Sequence, residues 1–145
     1  MKKYCTILFL LPALAGLISC SSAKNITAKD LDGAWNIVSV KGEGITKEEL
    51  PFLVINVSEK KVHGNTGCNI INSSITFDES DASAVKFSMP MSTLMACPYL
   101  ELENKISQAL IEVGGVKGGE KKGELSLVDK DGNGLLLLDK KEDGK

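Results

Sequence analysis

The sequence predicts an α+β domain in which an antiparallel sheet wraps against one helix. Three observations predict it. Short β-rich runs recur between clusters of Gly, Asn, Asp and Ser. One stretch, Leu102 to Val113, carries an apolar stripe at helical spacing. No long linker, low-complexity tract or internal repeat divides the 145 residues.

Taken in order, the chain starts with Lys2 and Lys3 and an apolar run, Ile7 to Ile18. That run is too short for a permanent membrane span. It ends in Leu17-Ile18-Ser19-Cys20, the pattern of a bacterial lipobox. The expectation is a removable signal segment over residues 1–19, with Cys20 acylated as the first residue of the mature protein. The competing expectations are an ordinary signal peptide with an incidental cysteine, or an N-terminal membrane anchor. Cys20 to Asn25 is short and polar and reads as a tether. The domain is expected over residues 26–140 and a disordered tail over 141–145.

Gly33 to Val40 predicts a strand with Trp35 and Ile37 on one face. Thr46-Lys47-Glu48-Glu49 predicts a helical turn capped by Thr46 and stopped by Pro51. Phe52 to Val57 predicts a strand, Ser58 to Lys61 a turn, and Val62-His63 the start of the return strand. Gly64 to Asn69 predicts a loop, because both its glycines allow positive φ. Ile70 to Phe77 predicts a strand with Ile71, Ser73, Ile75 and Phe77 on one face. Asp78 to Ser83 is an acidic turn, Ala84 to Ser88 a short strand, and Met89 to Pro98 an ordered loop. The helix follows, with Pro98 in its first turn and Glu101 and Glu103 complementing its dipole. Its stripe is Leu102, Ile106, Ala109, Leu110 and Val113, and Gly114-Gly115 ends it. Gly118 to Gly123 is a Lys-rich turn. Leu125 to Leu127 and Leu135 to Leu138 form the last hairpin.

Charge and hydropathy exclude some classes. Loss of residues 1–19 removes Lys2 and Lys3 and no acid, so 15 basic and 19 acidic residues remain. The mature net charge is about −4, with no basic stripe for nucleic acid. No later apolar run approaches membrane length. Membrane contact is expected through the lipid on Cys20 alone, stable only with several acyl chains.

Two cysteines remain, Cys68 and Cys97. In an oxidising envelope compartment they read as a disulfide pair. Two buried thiols that pack without bonding are the alternative. A metal site with His63 is another, although no CxxC is present and structural zinc usually takes four ligands.

Other constellations point away from catalysis. Asp129-Lys130-Asp131-Gly132-Asn133-Gly134 resembles half of a calcium loop, but its twelfth position is Lys140 rather than Glu. The same residues suit a hairpin turn. His63, the only histidine, has no signature of a Cys–His hydrolase around it. Asp78, Glu79 and Asp81 share a loop, and Glu101 and Glu103 share a helix start. Acids are ordinary in both places. No phosphate-binding glycine loop and no GxSxG occur. The expectation is no catalytic residue, no metal and no cofactor.

Several residues resemble a known family. Leu31-x-Gly33-x-Trp35, Val62-x-Gly64-x-x-Gly67-Cys68-Asn69 and Ser92-Thr93-Leu94-Met95-Ala96-Cys97 occur in order. Glu103, Ile106, Ala109 and Leu110 follow, then Leu125-x-Leu127-x-Asp129. Together they resemble the META domain family, also known as HslJ-like heat-shock lipoproteins, from Leu31 to about Leu138. Departures are Ser73, Ser74 and Ile75 where the family commonly has Gly and Tyr, Ile106 where an aromatic is common, and a longer turn at Gly118–Gly123.

The resemblance implies a small, strongly curved antiparallel sheet, a partial barrel, closed by one helix. It also implies that the Gly64–Asn69 and Ser92–Cys97 loops lie together, which agrees with a Cys68–Cys97 bridge. The family is linked to heat or envelope stress and carries no established catalytic residues. The resulting expectation is a monomeric, non-enzymatic, lipid-anchored envelope domain facing the periplasm. Ser21 after Cys20 favours the outer membrane. The partner is an unknown envelope protein or small ligand, met on the surface around Gly64, Gly67, Asn69, Ser92 and Thr93. The same residues also suit a purely structural role in closing the barrel end. The alternatives are a carrier of a small hydrophobe and a thiol-dependent enzyme.

Overall fold

The computed structural model describes residues 25–142. The signal segment 1–19, Cys20, the tether as far as Lys24 and residues 143–145 of the tail lie outside these residues.

Asp30 accepts from the Thr27 amide at 2.9 Å and from its hydroxyl at 3.0 Å, closing a short 3-10 turn over Ala28–Leu31. Strand β1 (Gly33–Val40) then buries Trp35 and Ile37. The Trp35 indole N–H donates to the Leu31 carbonyl at 2.7 Å, so its polar edge is satisfied inside. A bulge between Ile37 and Ser39 shifts the alternation by one, and Val40 rather than Ser39 turns inward. Strand β2 (Glu43–Gly44) folds back on the end of β1.

Thr46–Glu49 does not form the expected helical turn; it is an open link with a bend at Glu48 and Glu49. Lys47 reaches across to the Gly67 carbonyl at 3.3 Å and lies 3.7 Å over the Tyr99 ring. The Pro51 carbonyl accepts from the Ile37 amide. These long-range contacts hold the link open against its local preference.

Strands β3 (Phe52–Asn56), β4 (Lys61–Asn65) and β5 (Ile70–Phe77) form a meander. Strand β4 extends into the expected loop and takes Gly64 and Asn65 with it. Gly64 is buried and has no positive φ; it is needed for close approach, because an added Cβ would strike the Phe52 carbonyl oxygen. Gly64→Ala is therefore expected to cost about 1–3 kcal/mol through overpacking. An unchanged urea midpoint in that variant would exclude the close contact.

Strands β6 (Val85–Phe87) and β7 (Met91–Ser92) both pair with β5. Helix α1 (Leu100–Glu112) starts two residues after Pro98, not at it. Pro98 sits in a preceding turn closed by the Leu100 amide on the Cys97 carbonyl. The helix ends before Gly114-Gly115, but neither glycine takes a positive φ. Gly115 instead opens a strand that was not expected, β8 (Gly115–Gly118). Strands β9 (Glu124–Val128) and β10 (Gly134–Lys140) complete the chain order. A second bulge, between Gly134 and Leu136, lets Leu135 and Leu136 both be buried. Beyond β10, the Lys141 amide still donates to the Ala34 carbonyl, and its ammonium lies 4.0 Å over the Phe52 ring.

The strand order is β6-β5-β4-β3-β1-β10-β9-β8, antiparallel throughout. The two ends then meet: Ala84 bridges Gly115, Val85 donates to the Gly114 carbonyl, and Val116 donates to the Ser83 carbonyl. The result is a nearly closed, largely β barrel with one α-helix among the described residues. This is more β than the expected balance of sheet and helix, because β7 and β8 come from segments read as loop and helix end. The interior is filled by Ile37, Leu53, Ile55, Ile71, Leu127 and Leu138, together with Ile106 and Leu110 of α1.

Candidate functional site

The two motif loops do lie together, and the joint is a carboxylate. Glu103 sits on the apolar side of α1, three and seven residues before Ile106 and Leu110, and is only 5% exposed. Its Oε1 accepts from the Asn69 amide at 2.6 Å, the Cys68 amide at 3.1 Å and the Thr66 hydroxyl at 3.2 Å. Its Oε2 accepts from Asn69 Nδ2 at 2.6 Å. Burial pushes this carboxyl up, but the donors from Asn69, Cys68 and Thr66 outweigh it and hold the group below the ordinary glutamate value.

Asn69 passes the connection on. Its Oδ1 accepts from the Thr93 hydroxyl and the Met95 amide, both at 2.8 Å, and its Nδ2 also donates to the Met95 carbonyl at 3.2 Å. The Thr93 hydroxyl accepts from the Ile70 amide at 3.2 Å, and the Thr93 amide donates to the Ile70 carbonyl. Gly67 lies at φ +150°, a region that side-chained residues rarely adopt, with Glu103 and Tyr99 against the place of its missing Cβ. Cys68 and Cys97 are joined as a disulfide with Cα atoms 6.4 Å apart.

Most of the expected surface is therefore internal. Gly64 and Asn69 are buried, Gly67 is half-buried, and only Ser92 and Thr93 are exposed. Even there, the Thr93 hydroxyl is used by Asn69 and Ile70, and Ser92 Oγ donates to the Thr93 carbonyl at 2.9 Å. What faces outward is different: Met89, Met91, Leu94, Met95 and Ile70, of which Leu94 is 96% exposed. Between Leu94, Met95, Leu100, Asn104 and Ser107 lies a cleft of about 310 Å³. The sequence carried a signal for both features. Glu103 interrupts the helix stripe at core spacing, and residues 89–98 are ten in a row without a charge.

Other candidates fall elsewhere. His63 is exposed on β4, opposite Val54 and Asn72. Asp129 spends its carboxylate on its own turn, accepting from the amides of Asp131 and Asn133 and from Asn133 Nδ2. These bonds hold its carboxyl below the ordinary value. Asp78 and Asp81 are likewise held low, by the hydroxyls and amides of Ser80 and Ser83. Among the described residues, no group of three His, Cys, Asp or Glu side chains is arranged to hold a metal ion. None of the described helices is long and apolar enough to cross a membrane.

Two solved structures share the fold. One is the NMR structure of a protein from Burkholderia xenovorans, with TM-score 0.60 and 17% identity, covering 99% of this chain and 100% of that one. The other is the crystal structure of a DUF4847 family protein from Bacteroides vulgatus ATCC 8482, with TM-score 0.55 and 14% identity, covering 79% of this chain and 96% of that one. No curated protein matches the sequence. The pattern of the META domain matches residues 26–142, almost the whole described chain. The chain belongs to the META domain family.

Proposed function

We propose that this protein is a lipid-anchored envelope module that works by binding or structural support and not by catalysis. The observation that carries the proposal is the loop over residues 89–98. It holds Met89, Met91, Leu94 and Met95 in solvent, while a disulfide and the Asn69–Glu103 joint fix its backbone from behind. A fixed, uncharged apolar surface suits a protein contact, since little ordering entropy remains to be lost on binding.

The placement of this surface supports the same reading. The described chain enters beside the Phe77 end of β5, where the Ala28 amide donates to the Ala82 carbonyl. The exposed loop lies beside Ile70, at the other end of β5. Eight residues of strand separate the two ends by about 23 Å. With Cys20 acylated, the tether leads to one end of the barrel and the apolar loop is presented at the other. The membrane attachment itself rests on Leu17-Ile18-Ser19-Cys20, and the stress role rests on the family resemblance.

The rival readings find less support. A carrier of a small hydrophobe wants an apolar chamber, and the barrel interior is filled by its own side chains. A wider cleft, about 550 Å³, is lined by Lys47, Glu48, Glu49 and Lys141 among others. A thiol enzyme wants a free thiolate, and the Cys68 sulfur is bonded to Cys97.

The test is photocrosslinking in intact cells, heated and unheated. A photoreactive residue replaces Leu94 in one version and Lys117, exposed on β8, in another. A discrete crosslinked protein is expected from position 94 and not from position 117. Mass analysis of the same material is expected to show acyl chains on Cys20. Equal labelling from both positions, or an unmodified N-terminus, overturns the proposal.

A further inference from the structure

Every methionine after Met1 falls within seven residues: Met89, Met91 and Met95. They are 76%, 74% and 58% exposed, although methionine is ordinarily a core residue. Their backbone is placed from behind. Met91 lies on β7 opposite Asn72, and the Met95 amide and carbonyl are both bonded to the Asn69 side chain. Met89 and Met91 are two apart around Pro90, whose ring fixes its own φ. That spacing in extended chain puts both side chains on one side. The span from Met91 to Met95 is at most about 14 Å, and three rotatable bonds per side chain leave ample reach.

The only histidine lies in the same row. His63 on β4 is directly opposite Asn72 on β5, and Asn72 is directly opposite Met91 on β7. Directly opposed residues of neighbouring antiparallel strands share a face, and all three of these are exposed. Two strand spacings put the His63 and Met91 backbones about 10 Å apart. The residues between Met89 and Pro98 carry no charge, and Lys61, two residues before His63, is paired with Glu59 at 3.4 Å.

Neutral thioethers are soft ligands that select Cu(I) over zinc, calcium or magnesium, and imidazole also suits copper. We propose that Met89, Met91 and Met95, joined by His63, form a surface site for a soft monovalent metal ion, Cu(I) above all. The step is simple coordination: sulfur and imidazole lone pairs bind the cation, and nothing is oxidised or reduced. The site goes beyond the binding role proposed above and does not depend on the anchor.

The experiment titrates the full chain, purified in detergent with its disulfide intact. Ag(I) serves as a redox-inert probe, and Cu(I) under ascorbate competes against a chromogenic Cu(I) chelator. Native mass spectrometry is expected to show one ion per chain. NMR is expected to shift the ε-methyl signals of all three methionines and the His63 ring signals. Met91→Leu is expected to weaken binding by at least the tenfold or so that losing even an outer partner costs a metal site. Its urea midpoint should not move, because the side chain is exposed and the volume is kept. Ile111→Ala, at an exposed position of α1, should bind as the parent does. Retention of the ion by the variant with all three methionines changed to Leu overturns the proposal, as does no binding of either ion at about hundred-micromolar protein.

Discussion

Glu103→Ala is expected to lower the free energy of unfolding by at least about 3 kcal/mol, because it strands several donors at once. The amides of Cys68 and Asn69, the Asn69 side-chain amide and the Thr66 hydroxyl all end on this carboxylate. Each buried donor left unpaired costs about 1–3 kcal/mol, less where water enters the space. Glu103→Gln keeps the shape but not the chemistry. Its Oε1 can still accept three donors, while its NH2 group meets Asn69 Nδ2, donor against donor. Asn69 has no easy way to turn its amide round, since its Oδ1 is committed to Thr93 and Met95.

The pH dependence separates this effect from a simple packing loss. The Glu103 carboxyl is held below its ordinary value in the folded protein. Its contribution is therefore fully present above the ordinary glutamate range and is lost as pH falls through the lower native value. Asp78, Asp81 and Asp129 shift in the same direction, so acid destabilisation alone does not single out Glu103. The comparison with Glu103→Gln does. The stability gap between parent and variant, from urea unfolding, is expected to be large at pH 7 and to narrow towards pH 3. A gap independent of pH would mean that the carboxylate charge contributes nothing to the joint.

Reduction of the Cys68–Cys97 bridge is the second large effect expected. The two cysteines are 29 residues apart, and chain entropy assigns such a bridge on the order of 3–4 kcal/mol. The fold should survive, because Asn69 still holds Thr93 and Met95, and Glu103 still holds the Thr66–Asn69 turn. A urea midpoint lowered by reductant, matched by the double variant Cys68→Ser with Cys97→Ser, is the expected result. A midpoint indifferent to reductant would show that the bridge does not stabilise the fold.

Much of the barrel was legible in the alternation of apolar residues. Trp35 and Ile37, Ile71 and Ile75, and the helix residues Ile106, Ala109 and Leu110 all face the core as their spacing predicts. The alternation misleads where a bulge intervenes: Val40 replaces Ser39 inside, and Leu135 and Leu136 are buried side by side. Strand β8 is not legible in the sequence, because Gly115-Val116-Lys117-Gly118 offers one large apolar side chain; its pairing with β9 makes it a strand. The helical turn expected at Thr46 was a sound local preference that the Lys47 contacts override. Gly64 looked like a loop glycine, and its neighbour across the sheet, Phe52, was not visible in the chain order.

The exposed loop shows the same division. Its composition is plain in the sequence, where its motif residues suit either a surface or a purely structural role in closing the barrel end. Asn69 turned out to be the part that holds the surface in place, while the methionines and Leu94 form it.

By itself the sequence determined most of the strands, the place of the helix among the described residues, and the family, whose motifs it carries in order. The strands and the helix follow from local spacing, since side-chain period and turn chemistry act over a few residues. Tertiary structure alone decided that the sheet closes through Ala84 and Gly115, that Glu103 is a buried joint rather than a dipole charge, and that His63 and Met91 share a row. Each of these depends on partners far apart in the chain, whose meeting is set by sheet register and by competition for buried hydrogen bonds.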